Sequence, residues 1–233
     1  MEKVRLSFSS LSLIHEHPHC WLNKMMGITQ PENKYMTAGK EAHKIIQAHV
    51  SNKHRDSRLN YIEYAFPVVE EKNFDERCGF TFTLKPTSSA KKDLFSKELT
   101  VTSGVYLSKL SKEYEIRGFY DGLDIENGRL LEIKTPEWAM SKFATSYQRK
   151  LYALSNRKFT EAVLITGTGD TTRWGIEPPK VYTVPMTAQD RADARDWILK
   201  GISILESGDL QTDLVDGKCV DYRCYWGENC QFK

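Results

Sequence analysis

Two runs of alternating apolar and polar residues between positions 118 and 134 flank the pair Asn127-Gly128. That pattern predicts a β-hairpin closed by a two-residue type I′ turn. With that loop, Glu126 pairs with Arg129, Leu123 with Glu132, and Asp121 with Lys134. Period-2 alternation then turns Leu123, Asp121, Glu132 and Lys134 to one face. Asp121 and Glu132 become diagonal neighbours, about 7–8 Å apart before their side chains lean together. A three-residue loop would turn Asp121 away and bring Asp124 to the face of Glu132. The two-residue loop is preferred because it leaves Ile116, Gly118, Tyr120, Leu131 and Ile133 on the opposite, mostly apolar face.

Elsewhere the pattern predicts a short helix capped by Ser9 or Ser10 and running through Ile14. Pro18 starts a second helix carrying Cys20, Trp21, Leu22 and Met25. Residues 35–50 read as a helix with Ala42, Ile45, Ile46, Ala48 and Val50 as its buried stripe. Residues 60–70 and 79–84 read as strands, 85–93 as a polar surface loop, and 100–106 as either strand or helix. After Pro136 one helix is expected from Trp138 to Asn156, then a buried strand over 161–166. An extended stretch broken by Pro178-Pro179 covers 173–184, and a last amphipathic helix covers 190–206. Helices on both sides of a small mixed sheet, an α/β arrangement in a single domain over 1–233, is the simplest packing.

The length of 233 residues suffices for one domain with a real core, and 40% hydrophobic with 27% charged residues is ordinary for a globular protein. No apolar run approaches the ~18 residues that would span a bilayer, and the amino terminus lacks the apolar stretch of a secretory signal. The expectation is an intracellular, cytoplasmic protein without membrane contact, whose five cysteines are not a disulfide framework. A formal charge of +2 excludes a chain that coats nucleic acid over its whole surface. Any such contact must be local. Lys134, Lys142, Arg149, Lys150, Arg157 and Lys158, against Glu137 alone, form a basic strip suited either to a phosphate backbone or to a solvated helix face.

The hairpin carries the candidate chemistry. Asp121 and Glu132 can share a divalent cation, and such an ion can activate water and stabilise the charge that develops in phosphodiester hydrolysis. An acid two residues before a lysine also occurs at Glu32, Glu70 and Asp216. Only Glu132 follows an apolar pair, Leu130 and Leu131, and faces an aspartate on the preceding strand. The competing reading is an exposed cross-strand ion pair of Asp121 with Lys134. His43 and Gln47 are one helical turn apart, as are Gln148 and Tyr152. His43 reads equally as a satisfied core histidine, and Tyr152 as a core aromatic. The glycine-bearing Thr166-Gly-Thr-Gly-Asp lacks a following Lys-Ser/Thr and reads as a turn, so no ATP motor is expected.

Gly118-x-x-Asp121, Glu132-Ile-Lys134 and Gln148-x-x-x-Tyr152 together resemble the RecB-like branch of the PD-(D/E)xK nucleases. The likeness is nearest to the CRISPR-associated RecB-like exonucleases and related phage enzymes. Gly39-Lys-Glu-Ala-His43 resembles that family's Gly-x-x-x-His helix, and Ser9 to Trp21 its amino-terminal Ser…Cys segment. The resemblance covers residues 7–50, 114–166 and the tail, and leaves 55–110 unmatched. It implies a restriction-endonuclease-like core and a Mg²⁺ or Mn²⁺ held by Asp121, Glu132, the Ile133 backbone carbonyl and His43. Lys134 would orient the attacking water, Gln148 and Tyr152 would support the catalytic hairpin, and Lys142, Arg149 and Lys150 would meet DNA. It further implies a single-stranded DNA exonuclease of cellular, phage or viral origin, working beside recombination or CRISPR-adaptation proteins. The alternatives are a DNA end-binding or adaptation-complex subunit that cuts little, and an endonuclease of the same fold.

Cys219, Cys224 and Cys230 crowd the tail, residues 207–233, where so short a segment could hardly order itself without a metal or cluster. With Cys20 as the distant fourth ligand, four thiolates suit a [4Fe–4S] cluster tying the chain's ends together, and they suit tetrahedral Zn²⁺ as well. The RecB-like enzymes with such a clasp share the one-plus-three arrangement. Their usual C-x2-C-x5-C would require a cysteine at Asp221, where this chain has C-x4-C-x5-C. Cys78 reads as a packed free thiol.

Overall fold

The computed structural model describes residues 3–28, 34–64, 66–75, 79–84, 113–135, 139–156, 158–208, 210, 226 and 230. Cys78, Cys219, Cys224 and Arg157, and the segments expected over 85–93 and 100–106, lie outside the described residues. The chain is an α/β fold of small mixed sheets flanked by helices, in two compact units.

One unit comprises residues 1–31, 81–118 and 195–233. Its sheet has the order β1 (Lys3–Ser7), β3 (Glu113–Phe119), β2 (Gly79–Leu84), with β1 parallel to β3. Helices α1 (Phe8–Glu16) and α2 (Pro18–Met25) follow β1. The cap of α1 is Ser7, whose hydroxyl accepts from the Ser10 N–H, so Ser9 and Ser10 are not the caps. Pro18 begins α2, where its missing N–H costs nothing.

The other unit, residues 32–80 and 119–194, holds the four-stranded sheet β4 (Gly122–Asp124), β5 (Arg129–Lys134), β6 (Glu161–Thr166), β7 (Lys180–Pro185). The β5–β6 pair is parallel and its two neighbours antiparallel. Alternation along β5 and β6 builds two cores. Leu131, Ile133, Val163 and Ile165 pack with Ala42, Ile46 and Val50 of α3 (Lys34–Val50). Leu130, Ala162 and Leu164 pack on the other face with Phe143 of α4 (Ala139–Thr145) and Tyr152 and Ala153 of α5 (Tyr147–Ser155). Each fully buried aliphatic side chain contributes roughly 1.5–3 kcal/mol. The last helix, α6 (Ala188–Ser207), runs from this unit into the first.

Several elements depart from expectation for local reasons. The anticipated strand over 60–70 is a 3₁₀ helix, Ser57–Tyr64, whose three-residue repeat buries Leu59 and Ile62 one above the other. The single helix expected over 138–156 is broken at Ser146, which takes an extended conformation and caps α5 through the Arg149 N–H. The hairpin closes with four residues, 125–128, so Gly122 pairs with Leu131 and Asp124 with Arg129. Gly128 takes a positive φ, and among the described residues Asn52 is the only non-glycine that does, which excludes a type I′ turn at Asn127-Gly128. Buried Asp124 holds this turn, accepting from the Asn127 N–H and side-chain amide and from Arg129. The slip is two residues, so parity is kept and Asp121 still belongs with Glu132. Tyr120 does not share the face of Leu131 and Ile133, because the chain bends at 120–121 and sends its ring into the core beside Tyr152.

The outer edge of β4 is covered. Asp75 and Leu123 exchange backbone hydrogen bonds at 3.1 Å, and Ile125 donates to Asn73 at 3.0 Å. Phe74 then lies over Gly122, where a Cβ would stand 2.2 Å from the ring. Gly122→Ala is expected to destabilise the protein by about 1–3 kcal/mol through overpacking. Phe74→Leu in the same chain should recover part of that loss, read by chemical denaturation.

Candidate metal centre

Glu132 shares the Leu130 face of β5 and therefore points toward α5, where it is 1% exposed. A charge so buried requires partners. Gln148 donates to its Oε1 at 2.9 Å, Tyr152 lies 2.9 Å from its Oε2, and the Lys134 ammonium pairs with Oε1. The Ser146 cap fixes the start of α5, so Gln148 and Tyr152 arrive one turn apart on the face that meets Glu132, and Gln148 also donates to the Tyr152 hydroxyl at 2.7 Å. Burial pushes the Glu132 carboxyl well above the usual range, and the nearby Asp121 charge adds to that rise. Burial opposes the Lys134 ammonium, but the Glu132 charge and hydrogen bond outweigh it, and its pKa is raised overall.

Asp121 occupies the bend before β4. Its Oδ2 accepts from the Ile133 N–H at 2.7 Å, and its Oδ1 faces His43 Nε2 at 3.7 Å. Gln47, one turn after His43 on α3, donates to the Asp121 carbonyl. Burial raises the Asp121 carboxyl as well, against the pull of the Ile133 N–H and Lys134. For His43, burial lowers the pKa more than the Glu132 charge raises it, so the ring is neutral at neutral pH, the form that ligates metals. His43 is thus at the site and not a core histidine. Gln47 is a partner that the expected site lacked, although its spacing from His43 was visible in the sequence. Ile133 takes part through its N–H, and its carbonyl is not in that contact.

The donor set fits a hard divalent cation. Two ligands each about 2.1 Å from such an ion stand roughly 3–4 Å apart, the separation of His43 Nε2 from Asp121 Oδ1. Burial raises both carboxyl groups and the Asp121 charge raises Glu132 further, a cost that a shared cation would relieve. Among the described residues no three His, Cys, Asp or Glu side chains are grouped as a finished cage.

Among the described residues the expected basic strip is interrupted. Arg149 is buried, bound to Asp190 at 2.6 and 2.9 Å and to the Pro185 carbonyl, so it is structural and not a DNA contact. Lys150 pairs with Asp193 at 2.6 Å and lies over the Tyr147 ring. Lys142 and Lys158 are exposed. Asp124 belongs to the turn.

In the other unit, Cys20 and Cys230 are buried in one small cluster with Trp226. Asn23 donates to Cys230 Sγ at 3.2 Å across 207 positions of sequence, and His19 Nε2 lies 3.3 Å from Cys20 Sγ.

No protein-family model matches the chain, and no curated protein matches it. Among solved structures it is similar to one described as the crystal structure of SSO0001, at a TM-score of 0.47 and 11% identity over 88% of this chain and 78% of that one. That likeness assigns no role to any residue. No helix among the described residues is long and apolar enough to cross a membrane.

The raised Glu132 carboxyl has a consequence for stability. Its folded form binds a proton that the unfolded chain has released between pH 4.5 and about 7, so its contribution to stability falls as pH rises through that window. Glu132→Gln removes this dependence. The difference in melting temperature between wild type and Glu132→Gln should therefore move in favour of the variant from pH 5 to 8, in metal-free buffer.

Proposed function

We propose that the chain is a divalent-cation-dependent deoxyribonuclease of the RecB-like PD-(D/E)xK kind, acting on single-stranded DNA from a free end. The observation that carries this reading is the meeting of Asp121, Glu132 and Lys134 at the end of β5, with Glu132 buried and both carboxyl groups raised. The order β4-β5-β6-β7 with α3 on one face and α5 on the other supports a restriction-endonuclease-like core. Preference for DNA, for free ends and for recombination or CRISPR-adaptation partners rests on the sequence resemblance alone.

Asp121, Glu132 and His43, with the Ile133 carbonyl, would hold the cation, which supplies Lewis-acid charge stabilisation and a bound water of lowered pKa. The remaining work belongs to the chain. Lys134, beside Glu132, would hold the attacking water and offset phosphate charge. Gln148 and Tyr152 orient Glu132, and Gln47 and the Ile133 N–H hold Asp121 in the bend.

Cys20 and Cys230 would be two ligands of a [4Fe–4S] cluster, or of Zn²⁺, with Cys219 and Cys224 as the others. The Asn23 donor on Cys230 supports this, because a hydrogen bond to sulfur stabilises a thiolate ligand. Protein purified without oxygen should be brown and carry about four irons per chain if the cluster is present. A colourless protein holding zinc would favour the alternative.

End-labelled linear single strands and circular single strands, incubated with Mn²⁺ or Mg²⁺, test the activity. Linear DNA alone should be consumed, and chelation should stop the reaction. Lys134→Ala should lose about 10²-fold or more in rate, and Gln148→Ala roughly 10- to 100-fold through misorientation of Glu132. Cutting of circles would make the protein an endonuclease. Binding without cutting would make it an end-binding subunit.

A further inference from the structure

Successive residues of a helix point about 100° apart, and two neighbours at the start of α5 use that divergence. Gln148 faces β5 and donates to Glu132, whereas Arg149 faces the end of β7 and donates to the Pro185 carbonyl. Arg149 also grips Asp190 of α6 with both terminal nitrogens, at 2.6 and 2.9 Å. Asp190 is itself held. Its Oδ2 accepts from the Thr187 N–H and hydroxyl, each at 2.8 Å, and its own N–H donates to the Thr187 hydroxyl at 3.1 Å, a reciprocal cap at the start of α6. The next residue, Arg191, donates to the Ala153 carbonyl at 3.0 Å and to the Phe159 carbonyl at 3.2 Å. Ala153 lies on the last turn of α5. The first turn of α6 thus holds α5 near both of its ends.

We propose that Arg149 and Asp190 are positioning residues of the candidate metal centre, fixing the rotation of α5 that aims Gln148 and Tyr152 at Glu132. The inference rests on the reading of Asp121, Glu132 and His43 as a cation site, and adds a pair that acts on that site through α5. The Ser146 hydroxyl caps α5 with one backbone bond of 3.3 Å. A bidentate guanidinium–carboxylate pair fixes direction as well as distance, which one cap bond does not. At the roughly 5–6 Å radius of helical side chains, a roll of about 10° moves a side-chain tip by about 1 Å. That is enough to break the 2.9 Å bonds that Gln148 and Tyr152 make to Glu132. A misplacement of about 1 Å costs on the order of 10²-fold in rate. The Arg149 and Asp190 side chains are 8% and 9% exposed, and a pair so buried adds little net stability compared with apolar residues of similar volume. Its value here is the geometry it imposes on the residue next to Arg149.

The test combines Arg149→Met with Asp190→Asn, which removes both buried charges together while the amide keeps an acceptor for Thr187. Asp190→Asn alone is the milder variant. Both should melt within a few degrees of wild type. The side-chain amide signals of Gln148 in a nitrogen–proton correlation spectrum, identified by their absence from Gln148→Ala, read its bond to Glu132 directly in metal-free buffer. In the double variant they should move to the positions of solvent-exposed glutamines. Mn²⁺ affinity, read from the paramagnetic resonance of the free ion, should fall about ten-fold or more. On DNA, kcat should fall roughly 10- to 100-fold with KM little changed, and Asp190→Asn alone should show a smaller loss in each readout. Gln189→Ala, on the same turn of α6, should alter none of them. Amide signals that stay in place in the double variant overturn the proposal whatever the activity, and so do displaced signals with unchanged Mn²⁺ affinity. If the wild type cuts and the double variant cuts equally well, the nuclease reading stands and the pair is structural alone. A wild type that binds no Mn²⁺ and cuts nothing removes the centre itself and the proposal with it, a result read before any variant is made.

Discussion

A carboxylate placed inside a sheet-and-helix core is the constraint around which the larger unit is organised. Water would solvate Glu132 far better than Leu130 and Leu164 do, so the protein must answer its charge with fixed donors. It does so with Gln148, Tyr152 and Lys134, none of which is left to solvent alone. Asp121 then arrives as a second carboxyl close enough to raise the first. The Lys134 ammonium, paired with Glu132, favours ionisation of both carboxyls and offsets part of that rise. His43 stands beside the pair, 3.7 Å from Asp121, with burial holding its pKa below the usual histidine value.

The parts of this arrangement that follow from strict periodicity were legible in the sequence. Strand β5 alternates cleanly enough in sequence to put Leu131 and Ile133 on one side and Leu130 and Glu132 on the other, whereas β6 reads only as a continuous buried run. That Asp121, and not Asp124, comes beside Glu132 was legible too, although for an incomplete reason. The actual loop has four residues instead of two, and both lengths leave the same residues facing the same way. An even slip is invisible to parity. Asp124, the rejected candidate, proves to be the clamp that sets the longer loop, through bonds to Asn127 and Arg129 that no hydrophobic pattern encodes.

Two of the failures come from a polar side chain competing with the backbone or with solvent. Ser146 interrupts what composition reads as one helix, because its hydroxyl takes the Arg149 N–H and ends the continuity. Arg149 was read as a surface cation because arginine usually is one, yet Asp190, more than forty residues later, draws it inside. The segment Ser57–Tyr64 alternates well enough for a strand, but Leu59 and Ile62 find a common pocket under a three-residue turn. The Arg149–Asp190 pairing depends on a distant partner and leaves little trace in local sequence.

The clamp at Asp124 also bears on the order of assembly. Its bonds join residues three and five positions apart, so the turn and its two strands can form early, from contacts with little loop entropy to overcome. At that stage Glu132 is still hydrated and its ionisation is cheap. Only when the segment bearing Gln148 and Tyr152 docks, sixteen and twenty positions downstream, is water stripped from the carboxylate. Desolvation of the site is thereby deferred until the donors that replace water arrive with the same helix.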